Sequence, residues 1–247
     1  MTPIVCAVGT TDPWNAAGLG LDVRTLAECG ARAVMVVAGV SAQDAAGLRA
    51  LHAVPPEVIG AQFEALRSLP IAAYRVGALP EAAIATVAER LRAVGVPVVY
   101  DPVLAPTAGG TFVAGVDAVR ALIARATIVT PNVDEAVRLA GIERGDDEAT
   151  MRAAAQELAA LGNVSVLVTG GRRGDSAFDI YFDGAFEVFE HPAVATEMRG
   201  TGCLLADALA AALARGEPPR AAVATARAYV RRKLESAREL GSMRVVE

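Results

Sequence analysis

TIVTPNVDEAVRLA, residues 127–140, is the smallest unit from which the architecture follows. Thr127–Val129 is a short β-branched run, the composition of a strand. Thr130-Pro131 breaks it, and Asn132 with Glu135 three residues on is the pattern that closes a helix start. A helix is therefore expected from Asn132 to Ala140.

The same strand, polar turn and helix recur on both sides. Strands are predicted at Pro3–Val8, Ala33–Ala38, Ala73–Val76, Val96–Tyr100 and Val164–Thr169. Helices are predicted at Gly18–Cys29, Pro55–Ser68, Glu81–Val94, Val116–Arg125 and Asp147–Leu161. In Pro55–Ser68, Val58, Ile59, Phe63 and Leu66 fall on one face. Strands that are apolar throughout and alternate with helices make a mostly parallel sheet covered on both faces, a three-layer α/β/α fold. Asp183-Gly184 between the alternating segments Ser176–Phe182 and Ala185–Phe189 predicts an antiparallel edge hairpin near the C-terminus. Two helices follow, Cys203–Ala214 and Arg220–Leu240, parted by Gly216 and Pro218-Pro219. With no linker, repeat or low-complexity tract, one domain over residues 1–247 is the expectation.

Composition narrows the function. A net charge of −5 without a basic cluster argues against nucleic acid as partner. No apolar run reaches the ~20 residues of a membrane span, since Asp207 and Arg215 interrupt the most apolar stretch. The first residues lack the pattern of a signal peptide, which points to a cytoplasmic protein. Cys6, Cys29 and Cys203 are odd in number and far apart, as reduced thiols are. Lys233 is the only lysine, so there is neither a phosphate-loop lysine nor a plausible Schiff-base lysine. His52 and His191 are the only histidines, without metal-ligand spacing, which disfavours zinc chemistry and a serine–histidine triad.

Ligands of open α/β sheets bind beyond the carboxyl ends of the strands. Arg199-Gly200-Thr201-Gly202-Cys203 opens an apolar helix there. Glycines around Thr201 leave backbone N–H groups bare at the positive end of a helix dipole, an anion hole for a transferring phosphoryl group. The same dipole is expected to lower the Cys203 pKa and make it a base. A plain glycine-rich helix start with an inert cysteine fits the spacing equally well. Asn132 and Glu135 are either a helix cap alone or a cap that also organises Mg²⁺ around nucleotide phosphates. Thr169-Gly170-Gly171-Arg172, after a strand, is a tight turn or a close approach to a nucleotide with an arginine beside its phosphates. Asp22 and Gln43 are isolated polar residues in apolar surroundings.

Taken in this order, the loops resemble the ribokinase-like superfamily, and most closely its hydroxymethylpyrimidine and phosphomethylpyrimidine kinases of thiamin biosynthesis. The likeness runs from Val5 to about Gly216, through Asp12-Pro13, Asp22, Ala42-Gln43, Tyr100-Asp101-Pro102-Val103, Thr130-Pro131-Asn132 with Glu135, Gly170-Gly171 and Gly200-Thr201-Gly202-Cys203. It implies transfer from Mg-ATP to the hydroxymethyl group of 4-amino-5-hydroxymethyl-2-methylpyrimidine, then to the monophosphate. It also implies that Asp22, Gln43 and Val103 border the pyrimidine and that Cys203 is the base within the Gly200–Cys203 anion hole. Asn132, Thr169, Gly171 and Arg172 would serve ATP, Glu135 would serve magnesium, and the protein would be a homodimer. Several positions depart from the family pattern. Trp14-Asn15-Ala16 replace small residues in the first loop, Gly20 stands for a glutamine, Thr169 for a lysine and Arg199 for a histidine. Arg172 or Arg199 is expected to replace the missing cation. A pyridoxal-type kinase and a non-catalytic relative are the alternatives.

Overall fold

A computed structural model describes residues 1–105, 112–113, 115–143, 145, 147–162, 164–192, 198–240 and 243–245. Its frame is a nine-stranded sheet. In chain order the strands are β1 (Ile4–Thr11), β2 (Arg32–Asp44), β3 (Gly47–Ala53), β4 (Ile71–Val76), β5 (Val98–Tyr100), β6 (Ile128–Val129), β7 (Ser165–Arg173), β8 (Ser176–Phe182) and β9 (Phe186–Pro192). They lie side by side as β3-β2-β1-β4-β5-β6-β7-β8-β9. From β2 to β7 every neighbouring pair is parallel. The edge hairpin of β8 and β9 is antiparallel as predicted, with Asp183-Gly184 at its turn.

The helices are α1 (Gly18–Glu28), α2 (Pro56–Ala65), α3 (Glu81–Leu91), α4 (Asp117–Ile123), α5 (Val133–Ala140), α6 (Glu148–Ala160), α7 (Thr201–Ala214) and α8 (Pro219–Glu235). Strand alternation sends successive side chains to opposite faces. Cys6 and Val8 enter one core with Ile59, Ile84, Val87, Val119, Leu139 and Met151, under α2 to α6. Val5 and Ala7 enter the other with Leu19, Leu26, Leu205, Leu209 and Val223, under α1, α7 and α8. Proline opens α2 and α8, where its missing N–H would be unpaired in any case.

Three expectations need correction. Segment 47–53 is a strand, β3, pairing antiparallel with β2, so a second antiparallel edge closes the sheet opposite the predicted one. Its sequence GLRALHA lacks the β-branched residues that mark a strand. The last helix stops at Glu235, and the chain turns into a short hairpin of β10 (Arg238–Leu240) and β11 (Met243–Val245). Finally, Gln43 lies within β2 rather than after it, because the strand runs on past the predicted Ala38 to Asp44.

β1 pairs with β2 on one side and β4 on the other, so the chain changes direction across the sheet at β1. In open α/β sheets such a switch is where ligands bind, beyond the carboxyl ends of the strands.

Candidate active site

α7 begins beside that switch, with Gly200 packed against the loop after β1 and Gly202 near Asp101. Gly200, its N-cap, has φ 87°. Among the described residues no side-chain cap closes the first turn of Thr201, Gly202 and Cys203, at the positive end of a 14-residue helix. Glycine is required at 200. The left-handed backbone disfavours any side chain, and a Cβ there would sit 2.3 Å from the Ala16 carbonyl oxygen of the first loop. That loop is a compact turn in which the Asp12 carboxylate accepts from the N–H groups of Trp14 (3.2 Å) and Ala17 (3.0 Å).

Beneath α7 lies a charge cluster that joins the expected Asp22 and Asp101 to two residues the sequence reading left out of the site, Arg75 and Asp207. Arg75 on β4 is 1% exposed. Its guanidinium reaches Asp22 of α1 at 3.1 Å, Asp101 after β5 at 3.3 Å and Asp207 of α7 at 3.2 Å. Alternation along β4 explains the placement, since Ala73 and Arg75 point towards α1 and α7 while Val76 enters the opposite core. Asp22 is fully buried with its carboxylate on Arg75, so it lies beneath α7 rather than open to a ligand. A Cβ at Gly202 would be 3.6 Å from Asp101 Oδ2, which brings Asp101 against the first turn of α7.

Cys203 requires a correction. Burial pushes its thiol up to about 12, the Arg75 cation opposes this, and the charges of Asp22, Asp101 and Asp207 add to the rise. Desolvation is the leading cause, so the thiol is not lowered as its place at a helix start alone would suggest. Part of the residue still reaches the surface.

The second half of the site surrounds the start of α5. Here Asn132 Oδ1 accepts from the Glu135 N–H at 2.9 Å, and Glu135 Oε2 accepts from the Asn132 N–H at 3.0 Å. This reciprocal capping box was legible in the sequence. The other Glu135 oxygen accepts from the Leu104 N–H at 3.4 Å and ties α5 to the loop carrying Asp101 and Val103. Burial first, then the Asp101 charge, pushes Glu135 up to about 8.

Beside this cap is a cavity of about 490 Å³ lined by Asn132, Val133, Asp134, Gly145, Thr169, Gly170 and Arg172. Three of the four expected nucleotide residues thus meet around one hollow. Gly171 does not join them: a Cβ there would meet Met151 and Phe178 at 2.7 Å, so it faces the core. Its neighbour Gly170, at φ 91°, takes the lining position. Nor does this segment follow its strand, for β7 continues through it to Arg173 with an irregular register between Val168 and Gly171.

Of the two arginines offered for the missing cation, only Arg172 lines this cavity. Arg199 is buried and committed elsewhere, donating to the Asp44 carbonyl oxygen at 3.1 Å and lying 3.5 Å from Asp12. It joins the first loop to the β2–β3 turn, next to buried Gln43. Two other departures also fall together. Asn15 has φ 51°. Its Oδ1 lies 1.8 Å from where a Cβ at Gly20 would be, so the asparagine fills the space that a side chain at position 20 would take.

Residues 12–246 match the model of the family described as phosphomethylpyrimidine kinase. The chain is 36% identical to a hydroxymethylpyrimidine/phosphomethylpyrimidine kinase of Rhizobium meliloti (strain 1021), over 97% of this chain and 93% of that protein. It is 35% identical to a thiamine biosynthesis bifunctional protein of Geobacter sulfurreducens, over 96% of this chain and 50% of that protein. Among solved structures, the pyridoxal kinase of Staphylococcus aureus in complex with AMP-PCP superimposes with a TM-score of 0.90 at 26% identity. That match covers 100% of this chain and 94% of the other.

Proposed function

The chain belongs to the phosphomethylpyrimidine kinase family, and we propose that it moves the γ-phosphoryl group of ATP to the hydroxymethyl group of 4-amino-5-hydroxymethyl-2-methylpyrimidine. The monophosphate formed is then its second substrate, and both steps belong to thiamin biosynthesis. The observation that supports this reading is the start of α7 on left-handed Gly200 without a side-chain cap, with Cys203 in its first turn.

In this reading the N–H groups of Gly200, Thr201, Gly202 and Cys203 hold the charge that develops on the moving phosphoryl group. Cys203 takes the hydroxyl proton. It does so as the thiolate, its own proton having passed to solvent, and the Arg75 cation favours that form against the burial that opposes it. Gln43 and Val103 border the pyrimidine, with Asp22 supporting the floor through Arg75. Asn132, Thr169, Gly170 and Arg172 receive the nucleotide in the cavity beside α5.

No group of three His, Cys, Asp or Glu side chains suited to a metal occurs among the described residues. The magnesium ion of this reading would arrive with the nucleotide and keep most of its water. Glu135 would face it, a carboxyl that burial and the Asp101 charge push up and that a nearby cation would bring back down. Bound there, the ion neutralises phosphate charge. A cytoplasmic homodimer completes the proposal, and molar mass measured in solution tests the assembly.

The structural likeness to a pyridoxal kinase supports one second reading, phosphorylation of pyridoxal. Mass-spectrometric product analysis with Mg-ATP and hydroxymethylpyrimidine, its monophosphate or pyridoxal separates the two. The expected products are the pyrimidine mono- and diphosphates. Turnover of pyridoxal alone would replace the proposal with the second reading, and binding without any product would replace both.

A further inference from the structure

Three carboxyls share one guanidinium beneath α7, and all four groups are closed to solvent. Asp22 and Asp207 are 0% exposed, Arg75 1% and Asp101 4%. If all three acids were ionised, the cluster would carry a charge of about −2 in a dry interior, directly under the first turn of α7, which is an arrangement too costly to persist.

The hydrogen bonds show where the charge is relieved. Asp22 Oδ2 faces Arg75 Nη1, while Asp22 Oδ1 has no partner. Neither Asp207 oxygen has a hydrogen bond from a conventional donor, although Oδ1 lies near Arg75 Nε. The orphaned acceptors belong to two carboxyls on the same guanidinium, Asp22 Oδ2 at 3.1 Å from Nη1 and Asp207 Oδ1 at 3.2 Å from Nε. One proton between them satisfies an oxygen on each side.

We propose that Asp207 is a positioning residue for phosphoryl transfer: its carboxyl retains one proton, donates it to Asp22, and leaves Arg75 to hold Asp22 and Asp101 in place beneath Cys203. Asp207 sits one turn along α7 from Cys203, so the element that carries the proposed anion hole also carries the acid that neutralises the layer under it. The direction of its titration agrees, because burial first and then the Asp22 charge push this carboxyl well above the ordinary range. The titratable and charged groups around it are Asp22 and Cys29 on the α1 side, Arg75 from β4, Asp101 after β5, Cys203 on α7 itself and Tyr229 from α8. The activity part of the inference rests on the kinase reading, whereas the shared proton stands apart from it.

Asp207→Asn and Asp207→Leu test it. Asparagine retains an N–H donor towards Asp22 without a titratable group, and leucine retains volume without a donor. Turnover of Asp207→Asn is expected to stay within about twofold of the parent at neutral pH. Asp207→Leu is expected to lose about tenfold or more in kcat, with KM for ATP unchanged, because Asp22 is left without its partner. Melting against pH is read for the parent and both variants, which keeps the test independent of substrate. A raised acid lends stability below its unfolded pKa and loses it as pH rises towards the folded one. Asp207→Asn should therefore gain melting temperature relative to the parent as pH increases from about 5 to 9. Parallel melting curves for parent and asparagine variant would overturn the shared proton, even if leucine prevented folding. Equal loss of kcat in both variants, or full activity in the leucine variant, would overturn the positioning role.

Discussion

Two helices begin at the carboxyl edge of the same sheet, and they treat their first turn in opposite ways. α5 closes its own end with the Asn132–Glu135 capping box. α7 begins on a left-handed glycine with no side-chain cap. A capped start is complete within the protein and contributes stability, about 1 kcal/mol for a residue such as Asn132. An uncapped start keeps N–H groups for something that arrives later. The contrast continues below the helices. α5 stands beside an open cavity with exposed Arg172 on its rim, whereas α7 stands over Arg75 and three buried acids. In the proposed function one end of the site would admit a nucleotide and the other would hold developing charge.

The largest way to break this contrast is Gly200→Ala. A left-handed alanine costs about 1–2 kcal/mol before any clash. Its Cβ would also strike the Ala16 carbonyl, a backbone atom with little freedom to yield. Turnover should collapse and the melting temperature fall. Unchanged kinetics in a folded variant would mean that the α7 start is not the transfer site.

Glu135→Gln sharpens the other side. Glutamine preserves the capping box, so helix closure survives, but the titration disappears. The folded carboxyl sits at about 8 against an ordinary 4.5, so the parent loses this stability as pH rises from about 4.5 through 8. The variant should melt increasingly above the parent across that window. At the same time, its magnesium requirement should rise if Glu135 faces the ion. A constant melting difference between pH 5 and pH 8 would contradict the assigned protonation.

The smallest effect belongs to Arg172→Ala. The side chain is exposed, so stability should hold, and KM for ATP should rise by about threefold, the size of one screened charge contact. Titration calorimetry with ATP checks it, and identical affinities would remove Arg172 from the nucleotide site.

Local pattern carried much of this molecule. Thr127–Ala140 announced strand, turn and capped helix, and the Asp183-Gly184 hairpin was visible for the same reason: its determinants lie within a few residues. β3 was hidden because GLRALHA has no strand signature of its own and is held by pairing with β2. Nothing between Glu235 and Gly241 breaks a helical pattern, so the β10–β11 hairpin was hidden too. Arg75 is the instructive omission. One arginine in a short apolar strand reads as an edge residue, and its partners Asp22 and Asp101 lie 53 and 26 positions away. Asp207 was noticed only as an interruption of an apolar helix. A signal was present nonetheless, in a lone acid inside α7 and a lone base inside β4, each expensive to bury unless it meets the other. Asn15 and Gly20 looked like two independent departures, and only their contact shows one compensated exchange.

The central claim is that phosphoryl transfer takes place at the start of α7 with Cys203 as the base. Cys203→Ala tests it most directly, with turnover followed by product mass and pyrimidine binding by calorimetry in the same preparation. A fall in kcat of about 10²-fold or more with binding retained is the predicted result. Near-parental turnover in that variant would contradict the claim and place the proton acceptor elsewhere in the site.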